Sequence, residues 1–335
     1  MNDKIITKKE IEMKAKLFMA TAAAALILAG CSNDENEPAD NWNGEIRLSS
    51  GVAAQQVTRS IATDLQGAQI ADGIHVGFFI NEHPESATTT YTQNLDYTAN
   101  GMGAFSGTAV YYPQSGNGVD IYAYAPWESG LLLTGTYAFT VATDQSTDDN
   151  YLASDLLWGQ PMKNGTESAN PVARTKDNVP VSFKHLLSKI QVTLKPGSGL
   201  TADDFKGATL KVLQVLPGTT LTLSDGTISA ASGDRTDLTA ATYDTQAAPA
   251  SSVTAAAIVV PQTITERTKF FEVDLTTGGK LFYTLPDGGG GLSLAGGKIY
   301  KYEITVNLTG LTVTSTIEDW ATIGGDPVQG SAVMD

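Results

Sequence analysis

Apolar and polar residues alternate with a period of two along most of this chain, the pattern of strands with one face buried. Glu45-Ile46-Arg47-Leu48-Ser49 opens the series. Gly73 to Ile80 is a more continuously apolar strand, and Thr90 to Tyr97 alternates again. Val119-Asp120-Ile121-Tyr122-Ala123-Tyr124-Ala125-Pro126 is the clearest strand of the first half. Its odd positions lie on one face, with Asp120, Tyr122 and Tyr124 on the other. Val179 to Leu194, Thr209 to Leu213, Thr220 to Leu223, Ala256 to Pro261, Phe270 to Leu275, Lys280 to Leu285, Ile299 to Val306 and Leu311 to Ile317 continue the style. Clusters of Gly, Asn, Pro and Ser punctuate these runs as turns.

Short strands at roughly ten-residue spacing predict an all-β fold built from sandwiches. The abundance of Gly (33 residues) and Thr favours strands and turns over helices. A single helical turn or two is expected, around Thr201-Ala202-Asp203-Asp204-Phe205. Residues 144–180 read as polar, interrupted by the apolar island Asp155-Leu156-Leu157-Trp158-Gly159. The length suits about two domains. The change of texture near residue 185 divides them into 44–184 and 185–335.

The first thirty residues follow another pattern. Lys14 and Lys16 precede an apolar run from Leu17 to Gly30, and Cys31 follows it. A positive start, an apolar middle and small residues before the cleavage point make a secretory signal. The run is shorter than the roughly 20 residues that span a bilayer. Leu28-Ala29-Gly30-Cys31 resembles the lipobox of bacterial lipoproteins, so cleavage is expected between Gly30 and Cys31, with the Cys31 thiol acylated. Met13 makes a more ordinary signal start than Met1, because the first twelve residues add acidic charge. Residues 31–43 then read as an acidic tether, led by Ser32-Asn33-Asp34-Glu35-Asn36-Glu37.

Charge and cysteine content narrow the partners. The formal net charge is −15, from 21 basic and 36 acidic residues. Residues 1–30 carry five lysines and three acidic residues, so the mature chain holds 16 basic and 33 acidic, a balance of −17. That argues against nucleic acid and anionic lipid surfaces. Cys31 is the sole cysteine, so no disulfide forms within the chain.

No catalytic constellation stands out. His75, His83 and His185 are isolated in sequence and the cysteine is committed to lipid, so no metal site is expected. Asp148-Asp149-Asn150 lacks the spacing of a calcium loop and reads as a solvated turn. There is no Gly-x-Ser-x-Gly elbow, and Gly288 to Gly291 reads as a hinge between strands. Carboxylate pairs for glycoside cleavage are not local in sequence, so that geometry stays open. Tyr111, Tyr112, Tyr122, Tyr124 and Trp127 suit either sugar stacking or packing at a sheet end. No catalytic residue and no cofactor are expected.

Four phrases taken together resemble the fimbrillin family of Bacteroidetes, the type V pilins and their minor relatives. They are Val110-Tyr111-Tyr112-Pro113 with Val119 to Pro126, then Asp155 to Gly159, then Val181-Ser182-Phe183-Lys184-His185-Leu186-Leu187-Ser188-Lys189-Ile190-Gln191-Val192, and finally Gly296 to Val306 closed by Ile317-Glu318-Asp319-Trp320. The resemblance implies two tandem transthyretin-like β-sandwich domains. It implies a lipoprotein that reaches the outer-membrane surface, anchored there through its lipid. An arginine- or lysine-specific protease would then remove the first strand, and the open cleft would take a strand from another fimbrial subunit. On this chain the removable strand is Glu45 to Val52. Arg59, in Thr58-Arg59-Ser60, is the expected cut, and Arg47 is the alternative, set inside a predicted strand. The implied role is cell adhesion, through a host or bacterial surface ligand. A surface glycan-binding lipoprotein of an uptake complex is the competing reading. Ala321 to Asp335 would reach roughly 50 Å extended, but Gly324, Gly325, Pro327 and Gly330 interrupt its alternation and make it a weak donor strand.

Overall fold

The computed structural model describes residues 42–50, 69–84, 92–163, 167–205, 207–243, 252–275, 279–307, 310–320 and 331–333. Among them, strands and bridges account for 56% and helix for 4%, so the fold is all-β. In chain order the strands are β1 (Arg47–Ser50), β2 (His75–His83), β3 (Thr92–Ala99), β4 (Phe105–Gly107), β5 (Gly118–Ala125), β6 (Thr136–Thr140), β7 (Leu157–Lys163), β8 (Glu167–Ser168), β9 (Asn178–His185), β10 (Ser188–Pro196) and β11 (Thr209–Val215). There follow β12 (Gly218–Thr222), β13 (Thr236–Thr239), β14 (Ala241–Tyr243), β15 (Val253–Val259), β16 (Thr263–Ile264), β17 (Lys269–Leu275), β18 (Gly279–Thr284), β19 (Leu292–Ser293), β20 (Lys298–Asn307), β21 (Gly310–Asp319) and β22 (Ser331–Val333). Helix α1 spans Asp148–Ala153, and a 3-10 turn spans Ala202–Phe205 where a helical turn was expected.

The larger sheet runs β1-β9-β7-β5-β2-β3-β4, with β8 on β7. Its two ends meet. The free edge of β1 bonds the segment that leads into and out of β4, through bridges Ser49↔Ala104 and Glu45↔Tyr111. One face carries Val76, Phe78, Ile80, Val119, Ile121, Val179, Val181 and Phe183, all 3% exposed or less. Phe78, Phe105 and Phe183 extend this core as a chain of ring contacts.

From Ser188 on, a six-stranded sheet, β14-β15-β10-β20-β21-β22, faces a four-stranded one, β13-β11-β17-β18. Their inner faces meet where Phe271 of β17 sits edge-on to Tyr302 of β20, ring centroids 4.9 Å apart. Burial pushes the Tyr302 phenol well above its usual range. At one side Ala240 carries the chain directly from β13 in one sheet to β14 in the other.

The outer face of the larger sheet is not left to water. β6 leaves that half of the sequence and pairs antiparallel with β12 along five residues, from Thr136↔Thr222 to Thr140↔Gly218. Its Tyr137 and Phe139 point inward and extend a stack that starts with Phe79 and Tyr124. Gly77 lies opposite Tyr124, and a Cβ there would sit 2.1 Å from the ring, so only glycine admits the aromatic. Tyr124, read as outward-facing, is therefore fully buried, and desolvation pushes its phenol up to about 12. Gln145 adds a two-way link, accepting from the Ile258 N–H at 2.8 Å and donating to the Ile258 carbonyl at 2.9 Å.

One expectation fails locally. Asp148-Asp149-Asn150 is not a free turn but the first turn of α1. Thr147 caps it by accepting from the Asn150 N–H, and the two aspartates favour the positive helix start. That cap signal was in the sequence. The segment has too few apolar positions to show helical periodicity, because Tyr151 alone is buried.

Candidate functional site

β1 is the element from which the candidate site is built. Its inward residues are Ile46 at 4% exposure, Leu48 at 8% and Ser50 at 2%, while Arg47 between them is exposed. On one side β1 pairs parallel with β9, in the register Arg47↔Asn178 to Ser50↔Val181. On the other it runs antiparallel to residues 103–112. There the Ile46 N–H donates to the Val110 carbonyl at 2.7 Å and the Ser50 N–H to the Gly103 carbonyl at 2.7 Å. The Tyr112 N–H donates to the Gly44 carbonyl at 2.8 Å. Backbone bonds on both edges and apolar side chains beneath make β1 the stave that closes the larger sheet.

The chain leaves this stave and returns to the same place. The Ser50 hydroxyl donates to Gln69 Oε1 at 3.2 Å, so the two ends of segment 51–68 adjoin. Gly103, at φ +91, lets the three segments around Ser50, Gln69 and Gly103 converge. A Cβ there would lie 2.6 Å from Gln69 Oε1 and 2.9 Å from the Ser50 carbonyl oxygen. A single cut within 51–68 would leave β1 held by pairing and packing alone.

The predicted site residues fall on either side of what is described. Arg47 lies in β1, its side chain exposed and its backbone in the ladder. Gly30, Cys31 and Arg59 lie outside the described residues, as do the start at Met13 and most of the tether. Of the tail, Ser331–Val333 forms β22 and pairs antiparallel with β21, Thr316 opposite Val333. That Gly103 and Val110 form the second wall escaped sequence reasoning, because nothing local says which distant strand will lie beside β1.

The tail begins beside a buried cluster. Trp320 is 6% exposed, and its backbone N–H donates to the Gly297 carbonyl at 2.7 Å. His185 stacks flat on the Trp320 ring at 3.7 Å, and Lys189 Nζ lies 5.6 Å from the centroid of the same ring. His185 Nδ1 lies 2.9 Å from Asp155 Oδ2, with both side chains sealed from water.

Three of the five aromatic candidates for sugar stacking are taken up in packing. Tyr112 and Tyr124 are buried, and Trp127 is half-buried with its indole N–H on the Asn94 carbonyl at 3.3 Å. Tyr111, at 44% exposure, is the most exposed of the five. Trp158 and Trp320 are core residues. Exposed His75 and His83 each sit on a carboxylate, Asp96 at 2.7 Å and Asp120 at 2.8 Å. Among the described residues no group of His, Cys, Asp or Glu could hold a metal ion.

Among the described residues the chain is all-β, and its first strand, β1, closes the larger sheet. Residues 58–320 match the fimbrillin-like family model, and the chain belongs to that family. A Bacteroides uniformis protein named as a fimbrium subunit is 24% identical over 327 residues, covering 96% of this chain and all of that one. A Bacteroides ovatus protein named as a fimbrium tip subunit is 25% identical over 217 residues, which is 59% of this chain and 38% of that one. Among solved structures, a cell adhesion protein from Bacteroides ovatus superposes with a TM-score of 0.60 at 20% identity, covering 82% of this chain and 96% of that one.

Proposed function

We propose that this chain is a fimbrial subunit serving cell adhesion, exported as a lipoprotein, matured by a cut after Arg59 and assembled by strand exchange at the cleft that β1 fills. The observation that carries this reading is the seating of β1. A short strand with both edges paired is tied to the rest through a segment whose two ends meet. Its loss leaves unpaired N–H and C=O groups above an apolar slot, and an incoming strand restores both at once. The reading keeps two domains, 44–184 and 185–335, an acylated Cys31 and display on the outer membrane.

Arg59 is the one basic residue in segment 51–68. Arg47 is a poor substrate, since a protease needs mobile, extended backbone and Arg47 is held in a ladder. Brief trypsin treatment of the folded chain is expected to cut after Arg59 and leave a core beginning at Ser60. Arg59→Ala abolishes that cut, and Arg47→Ala does not. Mass spectrometry of the resistant core decides. A core starting well away from Ser60 refutes the assignment.

The anchor is tested separately. Cys31→Ala leaves an unacylated precursor that keeps its apolar signal run, Leu17 to Gly30. A variant that still carries lipid, read by labelled fatty-acid incorporation, would overturn the role of Cys31.

A further inference from the structure

We propose that the uncovered part of the outer face of the larger sheet, centred on Tyr122, is a binding site for a neutral pyranose sugar. The site deepens the adhesion reading above by naming a ligand class, and it stands apart from strand exchange. β6 and the turn after β12 cover the end of that face where Tyr124 and Trp158 lie. Tyr122 precedes Tyr124 by two positions and Gln160 follows Trp158 by two, so both stay on the same face, beyond the cover. Tyr122 is half-buried, so part of its ring is left to water. It tilts 41° from the Trp158 ring at a centroid distance of 6.3 Å, at the border of the covered zone. Asp120 follows on the same face with Asn81 opposite it in β2, and Ser182 of β9 lies opposite Gln160. These four polar residues are half-buried around the tyrosine.

The groups are fixed and their hydrogen-bonding roles are set. The Asn170 amide accepts from the Ile121 N–H and donates to the Ile121 carbonyl, both at 3.0 Å, and it lies against the Tyr122 hydroxyl. Burial raises the Tyr122 phenol above its usual range, and the Asp120 carboxylate adds to the effect, so the ring stays neutral. Gln160 Oε1 accepts from the Ser168 hydroxyl at 3.1 Å, which leaves Nε2 as a donor. Asp120 Oδ2 lies 2.8 Å from His83 Nδ1, which leaves Oδ1 as an acceptor. An aromatic surface with a donor and an acceptor beside it complements a pyranose, whose C–H face is apolar and whose hydroxyls both donate and accept. Other ligand classes fit worse. β5 is bonded to β2 on one side and β7 on the other, so it offers a peptide no free strand edge. The net charge of −15 opposes an anionic ligand. One half-buried ring is too little apolar surface to hold a lipid chain.

The test is saturation-transfer NMR on the full chain with the methyl glycosides of glucose, galactose, mannose, fucose and N-acetylglucosamine. Each is present at about 10 mM, which reveals dissociation constants in the millimolar range. The wild-type chain is expected to transfer saturation to at least one glycoside, most strongly at the C–H groups that stack on the ring. Tyr122→Ala lowers that affinity at least about tenfold, through loss of the stacking surface. Gln160→Ala lowers it by about threefold or more, through loss of one hydrogen bond. Tyr122→Phe keeps the ring and binds as the wild type does, because the hydroxyl is already engaged by Asn170. Tyr111→Ala, at the exposed tyrosine that bridges Glu45 beside β1, leaves binding unchanged. Far-ultraviolet circular dichroism checks that each variant is folded, and Gln160→Ala decides alone if Tyr122→Ala is not. Absence of transfer to every glycoside overturns the proposal. So does binding that survives Tyr122→Ala or Gln160→Ala undiminished, or that is lost in Tyr111→Ala. None of these results touches strand exchange, which the trypsin-resistant core tests separately.

Discussion

Trp158→Ala lowers the stability of the folded chain by about 3–5 kcal/mol, the range for deleting a buried indole. Trp158 is 6% exposed in β7, yet its indole N–H donates to the Leu223 carbonyl at 2.8 Å, far along the chain. The turn after β12 lies against its ring so closely that a Cβ on Gly226 would come within 2.4 Å. Lys184 Nζ sits 4.9 Å from the ring centroid, and desolvation lowers its pKa. Truncation removes the packing surface for that turn and leaves the Leu223 carbonyl without its donor. Gly226→Ala moves stability in the same direction, since Gly226 has φ +72 and no room for a methyl group. Urea unfolding of wild type and both variants checks this. A Trp158→Ala cost under about 1 kcal/mol would show that the turn does not depend on the indole.

Asp155→Ala is expected to cost about 1–3 kcal/mol, because it leaves a buried imidazole nitrogen without its hydrogen-bond partner. Asp155 is 1% exposed and His185 3%, and they face each other at 2.9 Å with Trp320 stacked on the imidazole. His185 Nε2 has no hydrogen-bond partner among the described residues, so losing Asp155 would leave the ring without a partner on either nitrogen. Asp155→Asn keeps an acceptor oxygen and costs clearly less than Asp155→Ala. Urea midpoints give the energies, and Trp320 near-ultraviolet circular dichroism reports the stack. If alanine and asparagine cost the same, the hydrogen bond to His185 contributes nothing and packing alone explains the loss.

These two sites share a feature that bears on the proposed role. Both join side chains from before residue 186 to groups after it, as do the β6–β12 ladder and the Gln145–Ile258 pair. With these contacts across it, Gly44–Asp335 forms one compact unit.

Much of the fold was legible because strand signals are local. β1, β5 and β20 sit where alternation or an apolar run placed them, while the single run Val179 to Leu194 is broken at Leu186-Leu187 into β9 and β10 of different sheets. β6 was overlooked although Thr136-Tyr137-Ala138-Phe139-Thr140 alternates cleanly. It is five residues long and follows the apolar loop Leu131-Leu132-Leu133, which blurs the period. The candidate site was half legible. Glu45 to Val52 was marked as a separable strand, and β1 is found inside it. Its two neighbours were not, because a parallel partner more than a hundred residues away and an antiparallel segment at 103–112 leave no trace in the sequence of β1.

What the sequence by itself determined is therefore the class of element and the chemistry of short segments. It established an all-β chain, the family phrases, the lone cysteine after an apolar run and the single basic residue of segment 51–68. These depend on residues within a few positions of one another. Only the tertiary structure decided that β1 closes a sheet between β9 and residues 103–112, that Tyr124 and Phe79 are covered by β6, and that the tail starts from a Trp320 stacked on His185. The physical reason is that alternation specifies which face of a strand is apolar but not what covers it. Neighbours are chosen by burial and backbone pairing summed over the whole chain.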